Sequence, residues 1–249
     1  MRFRMSDILL FALLFIFVAA FPVDLIPVVL TYQLLIRIGL RALLLTYYIY
    51  IIIKYKIKVF GNTNYRNLLL CIPFFIVCGS NFVASSIVGG FAGITMSALD
   101  FVLLTILTLM VAISEEIVFR LFIHNNLMVS SSLKRILYSA TIFALMHLLN
   151  VVNVRTVASL VVVLVQTVYT FGLGLLLGVM YEYSYSLVGC MVLHFCFNFF
   201  NDTLYLYFGG HTSDLCFYIT AAICGVVVLT YGLIITLFYF QKHDRYFRD

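Results

Sequence analysis

The chain has 249 residues, of which 64% are hydrophobic and 10% are charged, and its mean hydropathy is +1.14. This composition leaves too little polar surface to cover a globule in water, so we expect lipid to be its solvent. The formal charge of +5 could suit an acidic partner, but most Lys and Arg residues flank apolar runs, where they act as topology signals. Nucleic-acid binding is therefore not expected. The six cysteines show no CxxC spacing, which argues against a disulfide framework and a zinc ribbon.

Long apolar runs predict an all-α, polytopic transmembrane helical bundle of about eight helices, because backbone groups in lipid must be hydrogen-bonded within their own segment. The first run is interpreted as a retained helix rather than a cleaved signal, and Pro22 and Pro27 predict a kink or a shorter span with an interfacial piece. Short loops without a linker or repeat predict one integral membrane domain over residues 1–249. The apolar windows fall at about 8–29, 31–53, 67–89, 98–123, 134–151, 157–180, 186–208 and 216–240.

Basic residues predict which side of the membrane each loop occupies. With the N-terminus inside, Arg155 is the only outer-loop cation, and an even number of helices puts both termini in the cytoplasm. His124, Lys134 and Arg135 are then predicted to lie in a solvated cytoplasmic loop. The cations expected on the cytoplasmic side are Arg2, Arg4, Lys54, Lys56, Lys58, Arg66, Lys134, Arg135, Lys242, Arg245 and Arg248.

The fourth window carries an unusual charged segment, SEEIVFR, at residues 114–120. Ionisable side chains near the bilayer centre cost several kcal/mol unless they are paired or hydrated, so each is a functional candidate. Glu116 and Arg120 are four residues apart with Glu first, the favourable order for an in-helix ion pair. Glu115 points about 100° away from Glu116 around the helix, so we expect its carboxylate to face a cavity.

Polar residues recur in the fifth and seventh windows. His147 ends an FALMH segment, and His194 and Asn198 lie four residues apart, on one helical face that Asn201 and Asp202 extend. An α-helix rises about 1.5 Å per residue, which puts four side chains roughly 12–20 Å from the cytoplasmic helix ends: Glu115, His147, His194 and Asn198. The sequence therefore predicts that they meet near mid-membrane.

A carboxylate, two imidazoles and an amide around a wet pocket are the groups that amide hydrolysis requires. Glu115 could take a proton from water and deliver it to the leaving amine, with His147 orienting the water and His194 and Asn198 stabilising the oxyanion. Glu115, His147 and His194 could equally hold a zinc ion that polarises its water. The sequence leaves both mechanisms open, and the HExxH signature of helical zinc proteases is missing.

Structural interpretations apply to several of the same residues. A single intramembrane histidine is more often a packed helix contact than a catalyst, and only the combination of polar residues favours catalysis. Glu116 with Arg120 is interpreted as a structural ion pair, and Phe143 as a packing residue. The GxxxG segment at 174–178 is expected to pack helices within the monomer.

Arg37 and Arg41 are the other costly charges, four residues apart in the second window. They could pair with Asp24 or Asp100, line the cavity or attract a substrate carboxylate. Structural pairing is the favoured interpretation.

Three motifs in order, EExxxR at 115–120, FxxxH at 143–147 and HxxxN at 194–198, closely resemble the CPBP family. This family comprises CAAX prenyl proteases and bacteriocin-processing or immunity proteins, also called Abi proteins. The resemblance covers roughly residues 111–202 and implies a catalytic core at about 98–208 of an eight-helix intramembrane endopeptidase. It implies that Glu115 activates water, that His147 assists and that His194 and Asn198 form the oxyanion site. The supporting positions of the motifs are Glu116, Arg120 and Phe143.

The resemblance also implies a hydrophobic or lipid-modified peptide or protein substrate and leaves open whether zinc is used. The short chain looks more like the bacterial branch, which suggests a cytoplasmic-membrane enzyme in peptide maturation, bacteriocin immunity or signal processing. Two alternatives come from other classes. One is a non-catalytic immunity or peptide-binding membrane protein, and the other, less favoured because paired broken helices are not evident, is a proton-coupled transporter.

Overall fold

The computed structural model describes residues 5–23, 26–57, 59, 63–129, 131–154, 156–210 and 214–246. Regular structure in these ranges is entirely helical, which confirms the predicted all-α bundle. Seven of its helices are long and apolar enough to cross a membrane. The helices are α1 (Met5–Ala20), α2 (Leu30–Lys54), α3 (Tyr65–Val88), α4 (Ala98–His124), α5 (Ser132–Val152), α6 (Val157–Ser184), α7 (Leu187–Tyr207) and α8 (Asp214–Tyr246).

The first helix is shorter than its apolar window predicts. α1 has 16 residues and ends at Ala20, before Pro22, which lacks the amide hydrogen that a continuing helix needs. Sixteen residues rise only about 24 Å, less than the roughly 30 Å of a bilayer core. The predicted window over 8–29 was therefore too long, and the shorter of the two predicted forms is the one observed.

Polar contacts between helix ends show that α1 and α2 run antiparallel and that α2 and α4 begin at the same end of the bundle. Near the start of α1, Asp7 contacts the Tyr55 hydroxyl and lies 3.5 Å from Lys54 Nζ at the end of α2. At the opposite end of the bundle, Thr31 Oγ1 donates to Asp100 Oδ1 at 2.6 Å, joining the starts of α2 and α4. Asp100 is thus held by hydroxyl groups rather than by Arg37 or Arg41, and Asp24 lies outside the described residues.

α3 is irregular at its centre, where a 3₁₀ segment covers Ile72–Val77 and Gly79 adopts a φ of 84°. Backbone groups freed by such a break must find partners within the protein when lipid surrounds it. Asn201 of α7 supplies them, since its Oδ1 accepts from the Asn81 amide at 2.8 Å and its Nδ2 donates to the Val77 carbonyl at 3.4 Å. Asn201 therefore braces α3.

Small residues bring α6 close to α5 and α8. A Cβ atom on Gly174 would lie 3.0 Å from the Ala140 Cα atom, and one on Gly172 would lie 2.6 Å from the Val228 carbonyl oxygen. The approach at Gly172 leaves no room for a Cβ atom, and the one at Gly174 would accommodate a Cβ atom only if α5 shifted slightly. The GxxxG segment packs helices within the monomer, as predicted.

His124 and Arg135 are not in a solvated loop, contrary to the sequence prediction. His124 ends α4 and is 2% exposed, with its Nε2 atom 3.1 Å from Glu182 Oε1 of α6. Arg135 Nε donates to the same oxygen at 2.6 Å, and His124 Nδ1 lies 3.1 Å from Ser139 Oγ. Because the Glu182 carboxylate contacts both basic side chains, His124 and Arg135 face into the protein and join α4, α5 and α6.

Candidate active site

The charged segment of α4 lies where the helix changes its winding. Regular α-helix ends at Glu116, and a π-helical stretch runs over Ile117–His124. π-helical turns insert an extra residue and occur often at functional sites. Glu115 and Glu116 thus belong to the last α-helical turn, and Arg120 lies in the wider segment that follows.

Glu116 is fully buried and is paired on both of its oxygens. Arg120 Nε lies 3.1 Å from Oε2, and His194 Nδ1 lies 2.7 Å from Oε1. The Arg120 contact is a charge contact without hydrogen-bond geometry, and among the described residues the guanidinium has no hydrogen-bond acceptor. Its cationic face instead lies 5.2 Å from the centre of the Phe143 ring, an attractive arrangement. Glu116 and Arg120 form the predicted ion pair, and Glu116 also holds a histidine.

The bond to Glu116 sets the chemistry of His194. A carboxylate accepts hydrogen bonds, so Nδ1 of His194 carries the proton that it donates to Glu116. In a neutral ring, Nε2 is then a lone-pair acceptor. Its Nε2 atom lies 3.9 Å from Glu115 Oε2, on the cavity side. His194 can donate to an oxyanion from Nε2 only as the doubly protonated imidazolium.

Glu115 faces a polar cavity, as its angular separation from Glu116 predicts. Its side chain is 10% exposed and lies between two helices, with Oε1 3.9 Å from Arg41 Nη2 of α2 and Oε2 3.9 Å from His194. Neither distance is a hydrogen bond. The carboxylate is therefore held by charge while both of its oxygens keep hydrogen-bonding capacity.

His147 and Phe143 lie on one face of α5. Nδ1 of His147 donates to the Phe143 carbonyl at 2.8 Å. Nε2 is therefore the nitrogen that can accept a hydrogen bond from a molecule in the cavity. The buried Phe143 ring contacts both imidazoles edge to face, with centroid distances of 4.9 Å to His147 and 5.6 Å to His194. Phe143 is thus a packing residue, as predicted, and the residues that it packs are the two histidines.

The cavity has a volume of about 230 Å³ and brings together Glu115, His147, His194 and Asn198 from α4, α5 and α7. Arg37 and Arg41 line it from α2. Sequence reasoning placed Asn201 on the same face, but the π-helical stretch Phe199–Thr203 turns Asn201 toward α3 while Asp202 lines the cavity. The remaining cavity-lining residues are Phe15, Ala19, Val111, Phe119, Phe143, Met146, Asn150, Gln166, Tyr169, Thr170 and Leu173.

Asn150 and Gln166 are polar cavity residues that the motifs do not indicate. Asn150 Nδ2 donates to Gln166 Oε1 at 2.8 Å, which joins α5 to α6 at the rim of the cavity. A glutamine in the middle of an apolar helix is costly, so the position of Gln166 alone could have marked it.

The donor set partly suits a zinc ion, since Nδ1 of each histidine is bound by an acceptor and Nε2 is directed to the cavity, as in many zinc sites. The three donors are nevertheless too dispersed, because no group of three His, Cys, Asp or Glu side chains in the described ranges is placed to hold a metal ion. The residues as arranged do not fit zinc, and the zinc site at Glu115, His147 and His194 stays a prediction.

Antiparallel membrane helices around a buried carboxylate, two imidazoles and an amide define an integral membrane protein with a candidate hydrolytic site. Residues 97–200 match the model of the Rce1-like family, described as type II CAAX prenyl endopeptidase Rce1-like. This match over part of the chain supports a CAAX protease-type intramembrane enzyme in general. The predicted resemblance is confirmed, and the match spans α4 to most of α7, with all three motifs. No curated protein and no solved structure matches the chain.

Proposed function

We propose that the protein is an intramembrane endopeptidase that uses Glu115 to activate water. The observation that supports this most directly is the convergence of Glu115, His147, His194 and Asn198 on one cavity. Glu115 is compensated there without being hydrogen-bonded to its neighbours, whereas Glu116 is fully engaged by Arg120 and His194. Of the two adjacent carboxylates, only Glu115 is available to a water molecule.

The reaction uses each polar group at a stated atom. Glu115 takes a proton from water as the water oxygen bonds to the carbonyl carbon, and returns it to the amide nitrogen as the carbon–nitrogen bond breaks. His147 Nε2 accepts a hydrogen bond from the other O–H of that water and so orients it. The Asn198 amide and the His194 imidazolium donate to the oxyanion of the tetrahedral intermediate. A carboxylic acid and an amine leave the site.

A second cavity supports a hydrophobic or lipid-modified substrate. It has a volume of about 300 Å³, is lined mostly by apolar side chains of α1, α2, α4 and α5, and shares Phe15, Phe119 and Met146 with the polar cavity. An apolar group of the substrate can occupy this cavity while a peptide bond lies beside Glu115. Burial of apolar surface then contributes to binding, at about 25 cal/mol per Å².

The biological setting that we propose is a bacterial cytoplasmic membrane with both termini in the cytoplasm. There the enzyme would act in peptide maturation, bacteriocin immunity or signal-peptide processing. The support is the distribution of Lys and Arg residues and the resemblance of the short chain to the bacterial branch of the family.

The test is cleavage of co-expressed membrane-associated peptides by the purified wild-type protein and by Glu115→Gln. We expect the amide to lower kcat about 100- to 10,000-fold, because it cannot accept the proton, while leaving substrate binding nearly intact. Asp100→Asn, which removes a carboxylate from the far end of α4, is the matched control and should retain activity.

His147→Ala and metal content, measured on the same samples, complete the experiment. Zinc at about one per chain, lost in His147→Ala, would favour the metal mechanism. A wild-type protein that cleaves nothing, while both variants keep its cellular phenotype, would instead favour the non-catalytic immunity or peptide-binding protein.

A further inference from the structure

Arg41 comes from α2, outside the segment that matches the family model, yet it contacts two consecutive residues of the charged segment. Its Nη1 atom donates to Ser114 Oγ at 3.0 Å, and its Nη2 atom lies 3.9 Å from Glu115 Oε1. Ser114 is anchored in turn, because its hydroxyl donates to the Val111 carbonyl at 3.0 Å. The guanidinium is thus fixed against the backbone of α4.

Packing restricts the other directions in which Arg41 could point. The residue is 9% exposed, and its guanidinium carbon lies 5.8 Å from the centre of the Phe15 ring of α1. A planar guanidinium held by an aromatic face and a hydroxyl acceptor keeps a defined orientation, which a flexible lysine ammonium would not. Arg41 therefore presents its charge to Glu115 from one side.

The two oxygens of Glu115 consequently have different surroundings. Oε1 faces the Arg41 cation, whereas Oε2 faces His194 Nε2 and the cavity. A carboxylate that is free to rotate would exchange these positions, and an oriented one would not. A proton acceptor must be held in productive geometry, since a displacement of about 1 Å can cost on the order of 100-fold in rate.

We propose that Arg41 is a positioning residue that orients the Glu115 carboxylate, so that Oε2 is the atom that accepts the proton from water. This inference rests on the proposed endopeptidase activity. It adds to the site a residue from α2 that none of the three motifs contains. Arg37, four residues earlier, lines the same cavity and supplies an equal charge for comparison.

The kinetic test compares Arg41→Gln, Arg41→Lys and Arg37→Gln on one cleaved peptide. We expect Arg41→Gln to lower kcat about 10- to 100-fold with KM within about twofold, Arg41→Lys to recover part of that loss, and Arg37→Gln to have a smaller effect on kcat. An equal loss of kcat in both glutamine variants would show that total cavity charge matters rather than orientation. A rise in KM alone would assign Arg41 to substrate binding. Either result overturns the proposal.

A second measurement separates failure of this proposal from failure of the proposed function. In a double-mutant cycle, thermal unfolding of Arg41→Gln, Glu115→Gln and the double variant measures the contact without any substrate. We expect the Tm shift of the double variant to differ from the sum of the two single shifts. Additive shifts would show that the two side chains do not interact and would overturn the positioning role, whether or not the wild type cleaves peptides.

Discussion

Both cavity histidines are held through Nδ1, one by a carboxylate and the other by a backbone carbonyl. Each ring therefore presents Nε2 to the cavity, and the two partners impose different chemistry. The carbonyl beside His147 accepts from Nδ1–H, so that in the neutral ring Nε2 is the hydrogen-bond acceptor. Glu116 beside His194 is an anion that can also support an imidazolium. The distinct roles proposed for the two histidines follow from this difference.

Glu116 is the residue whose replacement should most disturb folding. Glu116→Gln would leave the buried Arg120 cation without its anion and weaken the bond to His194, so we expect a loss of about 3–5 kcal/mol in the free energy of unfolding. Thermal or denaturant unfolding in detergent micelles measures this loss. Glu115→Gln is the matched control and should change stability much less, because its carboxylate faces the cavity at 3.9 Å from both partners. Equal losses of unfolding free energy in the two variants would contradict the structural role assigned to Glu116 and not to Glu115.

Sequence reasoning singled out residues that line the polar cavity because ionisable groups in apolar helices are conspicuous. It found the Glu116–Arg120 pair because that contact is local, four residues along one helix. It did not find the bond between Glu116 and His194, whose partners are 78 residues apart in the chain. It also misplaced His124, because the neighbouring Lys and Arg residues indicated a loop while the compensating carboxylate, Glu182, lies 58 residues further on.

At the level of helices, the position of His147 and Phe143 depends on how closely α5 approaches α6. Gly174 permits that approach, and the first atoms that a side chain there would meet belong to Ala140 and Phe143. A larger side chain at Gly174 would therefore move α5, and with it the Phe143 and His147 side chains of the site. Periodicity alone could predict both helices but not the distance between them.

Gly174→Val should lower both stability and kcat, because the added atoms must displace the helix that carries His147. We expect a loss of about 1–3 kcal/mol in the free energy of unfolding, as for other overpacked sites. Unfolding midpoints and cleavage rates measure the two effects. Gly39→Val is the matched control, since nothing lies within 4 Å of a Cβ atom at Gly39 in α2. A fully active, fully stable Gly174→Val protein would contradict the close packing of α5 on α6.

Contacts between helix ends that join α1, α2, α4, α5 and α6 determine which of these ends lie on the same side of the bundle. The contacts of Asp7 with Lys54 and Tyr55 put the start of α1 beside the end of α2. Sequence reasoning left the length of α1 open between a kinked helix and a shorter span, because apolar residues continue past Pro22, and the structure shows the shorter helix.

We predict that both termini lie on one side of the membrane, and the distribution of basic residues favours the cytoplasmic side. Reporter fusions at each end measure this directly, with one reporter that is active only in the cytoplasm and another that is active only on the outer side of the membrane. The same fusions placed in the loop between α1 and α2 are the control and should report the outer side. Termini on opposite sides would show that the short α1 does not cross the bilayer.

The wall between the two cavities has a consequence for how such enzymes diverge. Phe119 and Met146 belong to the segment shared with the family, but Phe15, which borders both cavities and stacks near Arg41, comes from α1 outside that segment. One side of the proposed substrate cavity thus comes from α1, outside the matched segment, although most of the residues that line this cavity lie inside that segment. Under the proposed function, a substitution in α1 would change the shape of the substrate cavity while Glu115 and the two histidines stay in place, so we expect that proteins with the same three motifs need not share a substrate.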